Sequence, residues 1–390
     1  MKIGIIGSGT MGSGIAQIAA TADCDVFLYD VQQDALDKSE LSLKKILTRL
    51  IEKDRITEAI KIKILSKIHY TIQLEDLAKC DLIIEAIIED PAIKKSVFEK
   101  IENLASQDCI IASNTSSLSI TSLASALKYS SRFIGIHFFN PAPLMKLVEI
   151  IPAIQTDEAI IQKTKSIIND WGKLVVFAKD TPGFIVNKVA RPFYSEGLRI
   201  FEEGIADYST IDWALKSIGG FRMGPFELMD YIGNDVNYTV TESVWKAFYY
   251  DPRYKPAFTQ KRLCEAGYLG KKSGKGFYDY SDQAAKPAPQ KDDQLGHYIV
   301  NRIVIMLINE AADTVHLNIA SKEDIDKAMT TGVNYPKGLL AWADEIGIQI
   351  CVDSLDALYQ DYHEDRYRCS PLLRMMAKEE KSFFENGNTK

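Results

Sequence analysis

A chain of 390 residues is long enough for two or three domains. Its hydrophobic fraction of 46% is typical of a globular protein with a sizeable core, and a net charge of -7 without a basic run argues against nucleic-acid binding. We predict no membrane span, because no apolar stretch approaches the roughly 18 residues that a span needs. The glycine-interrupted N-terminus does not resemble a secretory signal.

The six cysteines favour a reducing compartment. They are scattered along the chain without a CxxC spacing, so the sequence predicts neither a disulfide framework nor a metal site. We therefore expect a cytoplasmic protein with reduced thiols and no bound metal.

The first thirty residues have the order strand, glycine turn, helix, strand, acid. The apolar run Lys2–Ile6 ends at a GSGTMG turn, residues 7–12, and a helical pattern follows over residues 15–20. A second strand, Asp25–Tyr29, ends at Asp30. This order predicts a mononucleotide-binding unit of Rossmann type, in an α/β domain.

A lone GxGxxG motif is weak, but this one follows a strand, opens a helix and has an acid 18 residues after its last glycine. We expect the turn to bind a dinucleotide pyrophosphate at the helix N-terminus through Gly7, Gly9, Thr10, Met11 and Gly12. Asp30 should accept hydrogen bonds from a ribose 2′-hydroxyl and repel a 2′-phosphate, which favours NAD over NADP. The alternative is a glycine-rich turn without a ligand.

A basic helical segment over residues 33–67 is too long for an ordinary connection to the next strand. It predicts an inserted pair of helices, divided near residues 54–57. The other interpretation of its charges is a solvated helical face.

Strand patterns then recur at 68–72, 81–86, 109–112, 133–137, 147–151 and 174–178. Helical segments separate most of these strands, which predicts an open, mainly parallel sheet. After residue 183 the pattern is helical only, so we place a domain boundary at 181–182. A polar, proline-containing stretch at 281–294 is typical of a linker.

The helical part repeats itself at a constant offset of 114 residues, without gaps over about fifty residues. FIVNK at 184–188 returns as YIVNR at 298–302. The same offset relates Glu196 to Glu310, Ala206 to Ala320, Asp212 to Asp326, Gly224 to Gly338, Asp230 to Asp344 and Gly233 to Gly347. The sequence therefore predicts a nucleotide-binding domain, 1–181, and two tandem all-α domains, 182–280 and 295–390.

His137 ends one of the predicted strands, at the edge where open α/β sheets bind ligands. Asn140 and Pro141 follow closely, and Glu149 lies in the next strand-like run. Oxidation of a secondary alcohol needs a base, and histidine titrates near neutrality. A carboxylate on its other ring nitrogen would fix the tautomer, so we predict a His137–Glu149 pair. Taken alone, the histidine would more often be a core residue.

The polar run SNTSS, residues 113–117, follows another strand. Such residues bind a ligand or cap the next helix, and we expect one of these serines to be a helix cap.

Six segments together resemble 3-hydroxyacyl-CoA dehydrogenases, especially the bacterial 3-hydroxybutyryl-CoA branch. They are residues 7–14, 113–118, HFFNP at 137–141 with 145–150, DTPGFIVN at 180–187, 223–228 and 272–278. The resemblance is dense over residues 1–280. The second helical copy is similar to the duplicated C-terminal domain of longer members, including multifunctional fatty-acid oxidation subunits.

The resemblance implies NAD-dependent oxidation of a (3S)-3-hydroxyacyl-CoA by the His137–Glu149 pair, with Ser116 and Asn187 holding the substrate. It implies cofactor contacts at Asp30, Glu89, Lys94, Asn114, Ser116, Asn140 and Lys272. It assigns the basic insertion to coenzyme A, with Ser42, Arg49 and Ser116 as contacts, although family members more usually carry lysine at the Arg49 position. For Glu89 and Lys94 the alternative is exposed charge at a helix start.

The second helical copy retains Asn301 but has no histidine motif upstream, so we interpret it as structural. In single-copy relatives the helical domain forms the dimer interface. We therefore expect a monomer with an internal pseudo-dimer, or a homodimer, and an acyl-CoA as the partner molecule. Two alternatives stay open at this point: a dehydrogenase for a hydroxy acid without coenzyme A, and a catalytically idle dinucleotide-binding relative.

Overall fold

The computed structural model describes residues 1–282, 284–285 and 287–384. The chain forms two compact units, residues 1–181 and 182–390. The first is a sheet with helices and the second is helical, so the predicted fold class is confirmed.

The N-terminal unit contains an eight-stranded sheet in the order β3-β2-β1-β4-β5-β6-β7-β8. Its strands are β1 (Lys2–Ile6), β2 (Asp25–Tyr29), β3 (Ile68–Thr71), β4 (Leu82–Glu85), β5 (Ile110–Ser113), β6 (Phe133–Phe138), β7 (Leu147–Pro152) and β8 (Leu174–Phe177). All pairings are parallel except β6 with β7. The strand order reverses between β1 and β4, and that switch point is where such sheets bind dinucleotides.

Six helices cover this sheet: α1 (Thr10–Thr21), α2 (Gln33–Glu52), α3 (Glu58–Ser66), α4 (Pro91–Leu104), α5 (Ile120–Ala124) and α6 (Glu158–Asp170). The predicted insertion is confirmed as the pair α2 and α3. Leu36, Leu43 and Leu47 lie on one face of α2 and join the buried core of the unit. The core thus holds α2 in place while its other face, with most of the basic residues, is exposed.

The C-terminal unit consists of helices α7 (Val186–Val189), α8 (Arg191–Glu202), α9 (Tyr208–Ser217), α10 (Pro225–Ile232), α11 (Asn234–Ala247), α12 (Phe258–Glu265), α13 (Asp293–His316), α14 (Lys322–Gly332), α15 (Leu339–Ile346), α16 (Ile348–Tyr362) and α17 (Pro371–Lys378). The long helix α13 packs against α8, α9, α15 and α17. Among the described residues, no helix is long and apolar enough to cross a membrane.

Helix α13 begins at Asp293, two residues before the predicted start of the second helical copy at 295. Its start is fixed by the Asp292 side chain, which accepts a hydrogen bond from the Leu295 backbone N–H at 3.0 Å. Residues 283 and 286 of the predicted linker lie outside the described residues.

The sequence repeat is also a repeat of hydrogen bonds. Asp212 accepts from the backbone N–H groups of Phe226 and Glu227, each at 2.9 Å. In the second copy Asp326, 114 residues later, accepts from Leu340 and Ala341 at 2.8 and 2.9 Å. An aspartate carboxylate therefore satisfies the N-terminal donors of α10 in the first copy, and its repeat equivalent does the same for α15 in the second.

The two copies exchange equivalent contacts across their interface. Lys188 of the first copy donates to Glu310 of the second, while Arg302 of the second donates to Glu196 of the first at 3.1 Å. Residues 302 and 310 stand 114 positions after 188 and 196. Such reciprocity is the property of a two-fold interface, here within one chain.

Candidate active site

The glycine turn between β1 and α1 has no room for side chains at two positions. Gly7 has a φ of 99°, and a Cβ there would lie 2.7 Å from the Ala86 carbonyl oxygen. A Cβ on Gly12 would lie 1.8 Å from the Gly7 carbonyl oxygen. Gly9, by contrast, faces open space, with nothing within 4 Å of an added Cβ. The turn therefore exposes its backbone beside Thr10, the first residue of α1, as a pyrophosphate site requires.

Asp30 lies directly after β2 and is hydrogen-bonded to this turn. One carboxylate oxygen accepts hydrogen bonds from the backbone N–H and the hydroxyl of Ser8, at 2.8 and 2.9 Å. The other oxygen accepts from the Gln32 backbone N–H at 3.1 Å. These contacts hold the carboxylate at the carboxyl end of β2, where it suits the adenosine ribose of NAD.

His137 and Glu149 form a buried pair near the sheet edge. The antiparallel pairing of β6 with β7 places the two residues directly opposite each other. The His137 Nδ1 atom is 2.6 Å from a Glu149 Oε2 atom, and the two side chains are 7% and 0% exposed. A carboxylate on Nδ1 leaves Nε2 as the atom that can accept or donate a proton.

Asn114 directly follows β5, the strand next to this pair. Its side-chain oxygen accepts a hydrogen bond from the Phe138 backbone N–H at 2.9 Å, and its own backbone N–H donates to the Glu85 carbonyl oxygen at 2.8 Å. Asn114 therefore links the carboxyl ends of β4, β5 and β6. Asn140 lies two residues after β6, on an exposed part of the loop.

Ser116 belongs to a loop, residues 113–118, that is held by Glu89. One Glu89 oxygen accepts from the Thr115 hydroxyl at 2.5 Å, the Ser116 backbone N–H at 3.1 Å and the Ser117 hydroxyl at 3.0 Å. The other oxygen lies 3.2 Å from the Lys94 amine. Burial raises the pKa of Glu89, but the lysine and the hydroxyl donors outweigh it and hold that pKa below its ordinary value.

Two expectations for this region need revision. The cap of helix α5 is Ser119, whose hydroxyl accepts from the Ser122 backbone N–H at 3.1 Å, so the prediction of a cap within residues 113–117 is wrong. The serines before it are further from the helix start. The alternative of exposed charge is wrong for Lys94, whose side chain is 1% exposed.

Ser42 and Arg49 lie on the exposed face of α2, seven residues and therefore about two turns apart. Their shared face is consistent with one extended ligand along the helix. In the C-terminal unit, Asn187 lies on α7, and Lys272 follows α12 and forms an ion pair with Asp235 at 2.6 Å.

Two acidic residues that sequence reasoning missed have structural partners in this region. Glu85 is fully buried at the end of β4. The feature of the sequence that indicates it is a charged residue within an apolar strand segment. Asp180 accepts hydrogen bonds from the hydroxyl of Ser119 and the backbone N–H groups of Ile120 and Thr121, at 2.7–2.9 Å. It therefore anchors the N-terminus of α5.

Sequence models of one family match both units. The NAD binding domain of 3-hydroxyacyl-CoA dehydrogenase matches residues 2–181. The C-terminal domain of the same family matches twice, at 183–280 and 298–388, which agrees with the internal repeat.

Similar proteins cover most of the chain. It is 35% identical to 3-hydroxyadipyl-CoA dehydrogenase of Escherichia coli strain K12, over 96% of this chain and 97% of that one. A 3-hydroxybutyryl-CoA dehydrogenase of Bradyrhizobium diazoefficiens is 41% identical over 74% of this chain and 98% of its own length. The crystal structure of a 3-hydroxybutyryl-CoA dehydrogenase from Escherichia coli K12 superposes with a TM-score of 0.92, at 34% identity, and covers 97% of this chain and 98% of its own. The chain belongs to the 3-hydroxyacyl-CoA dehydrogenase family of NAD-dependent oxidoreductases.

Proposed function

We propose that this protein oxidises short-chain (3S)-3-hydroxyacyl-CoA thioesters, of the 3-hydroxybutyryl type, to 3-oxoacyl-CoA in the cytoplasm. The observation that carries the proposal is the 2.6 Å contact between His137 Nδ1 and Glu149 at the end of β6. An imidazole with one nitrogen fixed by a carboxylate is suited to take the hydroxyl proton of a secondary alcohol.

The residues of the glycine turn fit NAD. The open space at Gly9, the close approach at Gly12 and the carboxylate of Asp30 suit a pyrophosphate and an unphosphorylated ribose. When bound, NAD⁺ would supply the hydride acceptor for C3 of the substrate. We assign further cofactor contacts to Thr10, Met11, Glu89, Lys94, Asn114, Ser116, Asn140 and Lys272.

In the proposed reaction His137 removes the hydroxyl proton at Nε2 and becomes an imidazolium. Glu149 stabilises that charge and keeps the ring oriented, because its carboxylate is buried and already in contact with Nδ1. We assign Ser116 and Asn187 to the substrate's 3-oxygen and thioester region. Ser42 and Arg49 are assigned to coenzyme A.

Steady-state kinetics with NADH and two substrates tests this function. We expect oxidation of NADH with acetoacetyl-CoA and almost none with free acetoacetate, because the basic face of α2 is assigned to coenzyme A. A series of 3-oxoacyl-CoAs of increasing length, with a dicarboxylic one included, then defines the acyl preference through kcat/KM. Equal turnover of acetoacetate would exclude the coenzyme A assignment, and inactivity with every acyl-CoA would indicate an idle relative.

The substitution Glu149→Gln should lower kcat by about 10²- to 10⁴-fold. The amide keeps the size of the side chain but removes the charge that stabilises the imidazolium, and its N–H₂ group can donate to Nδ1 and favour the wrong tautomer. Stopped-flow or steady-state NADH oxidation measures the effect. Glu99→Gln, on the exposed face of α4, is the matched control and should leave kcat unchanged. A Glu149→Gln enzyme with wild-type kcat would show that the pair is only structural.

A further inference from the structure

A buried carboxylate at the end of β4 is not part of the assignments above. Glu85 is 0% exposed, and β4 pairs with β1 so that Glu85 stands opposite Ile6, one residue before the glycine turn. It therefore lies at the switch point of the sheet, where the cofactor site is expected.

Glu85 has three hydrogen-bond donors around it. One of its oxygens accepts from the Ile87 backbone N–H at 2.7 Å and from the Lys94 amine at 2.5 Å. The other accepts from the Ser113 hydroxyl at 2.6 Å, and that hydroxyl in turn accepts from the Thr115 backbone N–H at 3.2 Å. Glu85 thus contacts the start of the loop that carries Ser116.

Lys94 joins Glu85 to Glu89. Its amine lies 2.5 Å from Glu85 and 3.2 Å from Glu89, and its side chain is 1% exposed. Glu89 holds the Ser116 end of the same loop through three hydrogen bonds. A single lysine therefore fixes two carboxylates, and the two carboxylates fix the two ends of the loop.

Stability alone is a weak reason for such a cluster. Burying charged groups costs desolvation energy, and well-packed apolar side chains of similar volume are often at least as stable. Ionisable groups that lie together in a ligand-binding crevice are candidates for a functional role. The cluster here has the buried Glu85 and Lys94 and the partly exposed Glu89, all at the carboxyl end of β4 or in the segment that follows it.

We propose that Glu85 is a positioning residue: through Lys94 and Glu89 it fixes the loop of residues 113–118 in the conformation that places Ser116 for the substrate. This inference rests on the proposed function, because it assumes that Ser116 contacts the acyl-CoA. Glu85 itself does not need to touch either ligand.

The test is Glu85→Gln, which keeps the size of the side chain and a hydrogen-bond acceptor for Lys94 and Ile87. Without the Glu85 charge, the lysine attracts Glu89 more strongly and draws it away from Thr115 and Ser116. We expect KM for acetoacetyl-CoA to rise and kcat to fall, with kcat/KM lower by about tenfold to hundredfold, since charge-assisted hydrogen bonds are weakened. Hydrogen–deuterium exchange of the amides in residues 113–118 should become faster by a similar factor.

Two further variants and two further measurements serve as controls. Glu99→Gln on the same helix as Lys94 should match the wild type in all measurements. The NADH dissociation constant, followed by fluorescence, and the melting temperature separate lost binding from lost folding. If Glu85→Gln does not fold, Ser113→Ala removes one donor to Glu85 without a change of charge and should give a smaller effect in the same direction.

A purely structural role would lower the melting temperature and the active fraction, while KM and the exchange of residues 113–118 stay at wild-type values. That outcome, or no change at all, overturns the proposal. If the wild-type enzyme turns over no acyl-CoA, the proposed function fails, but the exchange rates of the loop still decide whether Glu85 positions it.

Discussion

Replacement of His137 by glutamine should lower kcat by about three orders of magnitude or more, while the NADH dissociation constant stays close to the wild-type value. Glutamine can fill much of the space and offer hydrogen bonds, but it cannot hold a proton at neutral pH. The glycine turn and Asp30, which are assigned to the cofactor, do not depend on this side chain. NADH oxidation with acetoacetyl-CoA and NADH fluorescence measure the two quantities separately.

His69 offers a matched control for this experiment. It lies on β3 of the same sheet, is exposed, and packs its ring 5.1 Å from that of Phe27. His69→Gln should therefore have wild-type kcat. Near-wild-type turnover by His137→Gln would remove the acid–base assignment, whereas a parallel loss of NADH binding would indicate a misfolded domain.

Truncation after Asp282 should convert a monomer into a dimer or an aggregate. The cut removes the second helical copy and exposes the surface of the first copy that it covers. Phe193 and Phe221 would lose their ring contacts with Tyr335, at 5.6 and 5.1 Å between centroids. Exposed aromatic surface of this kind favours association.

The same surface can pair with itself. Within the intact chain, Tyr254 donates to Glu310 at 2.5 Å, and Tyr367 donates to Glu196 at 3.1 Å. Because Glu196 is the repeat equivalent of Glu310, Tyr254 of one truncated chain can reach Glu196 of a second. Such reciprocal contacts generate a closed two-fold dimer.

Size-exclusion chromatography with light scattering measures the mass of both forms. The full-length chain is the control and is expected to be a monomer. Glu196→Lys in the truncated chain places like charge opposite Lys188 and should prevent the ordered dimer. A truncated chain that stays a well-behaved monomer would contradict the internal pseudo-dimer.

The interface between the two helical copies is not fully symmetric. Arg302 forms two hydrogen bonds with Glu203, at 2.7 and 2.9 Å. The equivalents of these residues by the 114-residue offset are Lys188 and Leu317, which cannot form that pair. The bidentate arginine–carboxylate contact is therefore specific to the pairing of the first copy with the second.

The order of elements was readable from the sequence because it depends on local patterns. The patterns that predicted it involve residues close together in the chain. They are the glycines of the turn, the acid after the second strand, and apolar residues with a period of two or 3.6. The repeat was readable for the same reason, since a constant offset of 114 compares the chain only with itself.

His137 and Glu149 show how far such reasoning reaches into the site. Their spacing and their chemistry predicted a pair, but only the antiparallel register of β6 and β7 places them opposite each other at 2.6 Å. A shift of that register by one residue would point one of the two side chains to the other face of the sheet.

The contacts of Glu85 and the position of the helix cap at Ser119 were decided by the tertiary structure. Glu85 accepts a hydrogen bond from Ser113 across the β4–β5 pairing and another from Lys94, nine residues later in the chain. Neither contact has a local sequence signature. Ser119 is the cap of α5 because Glu89 and Asp180 fix the loop and the helix start from distant positions in the chain. The sequence by itself determined the fold and the chemistry available at the strand ends; the tertiary structure decided which charges meet, because each pairing needs side chains from separate strands to converge.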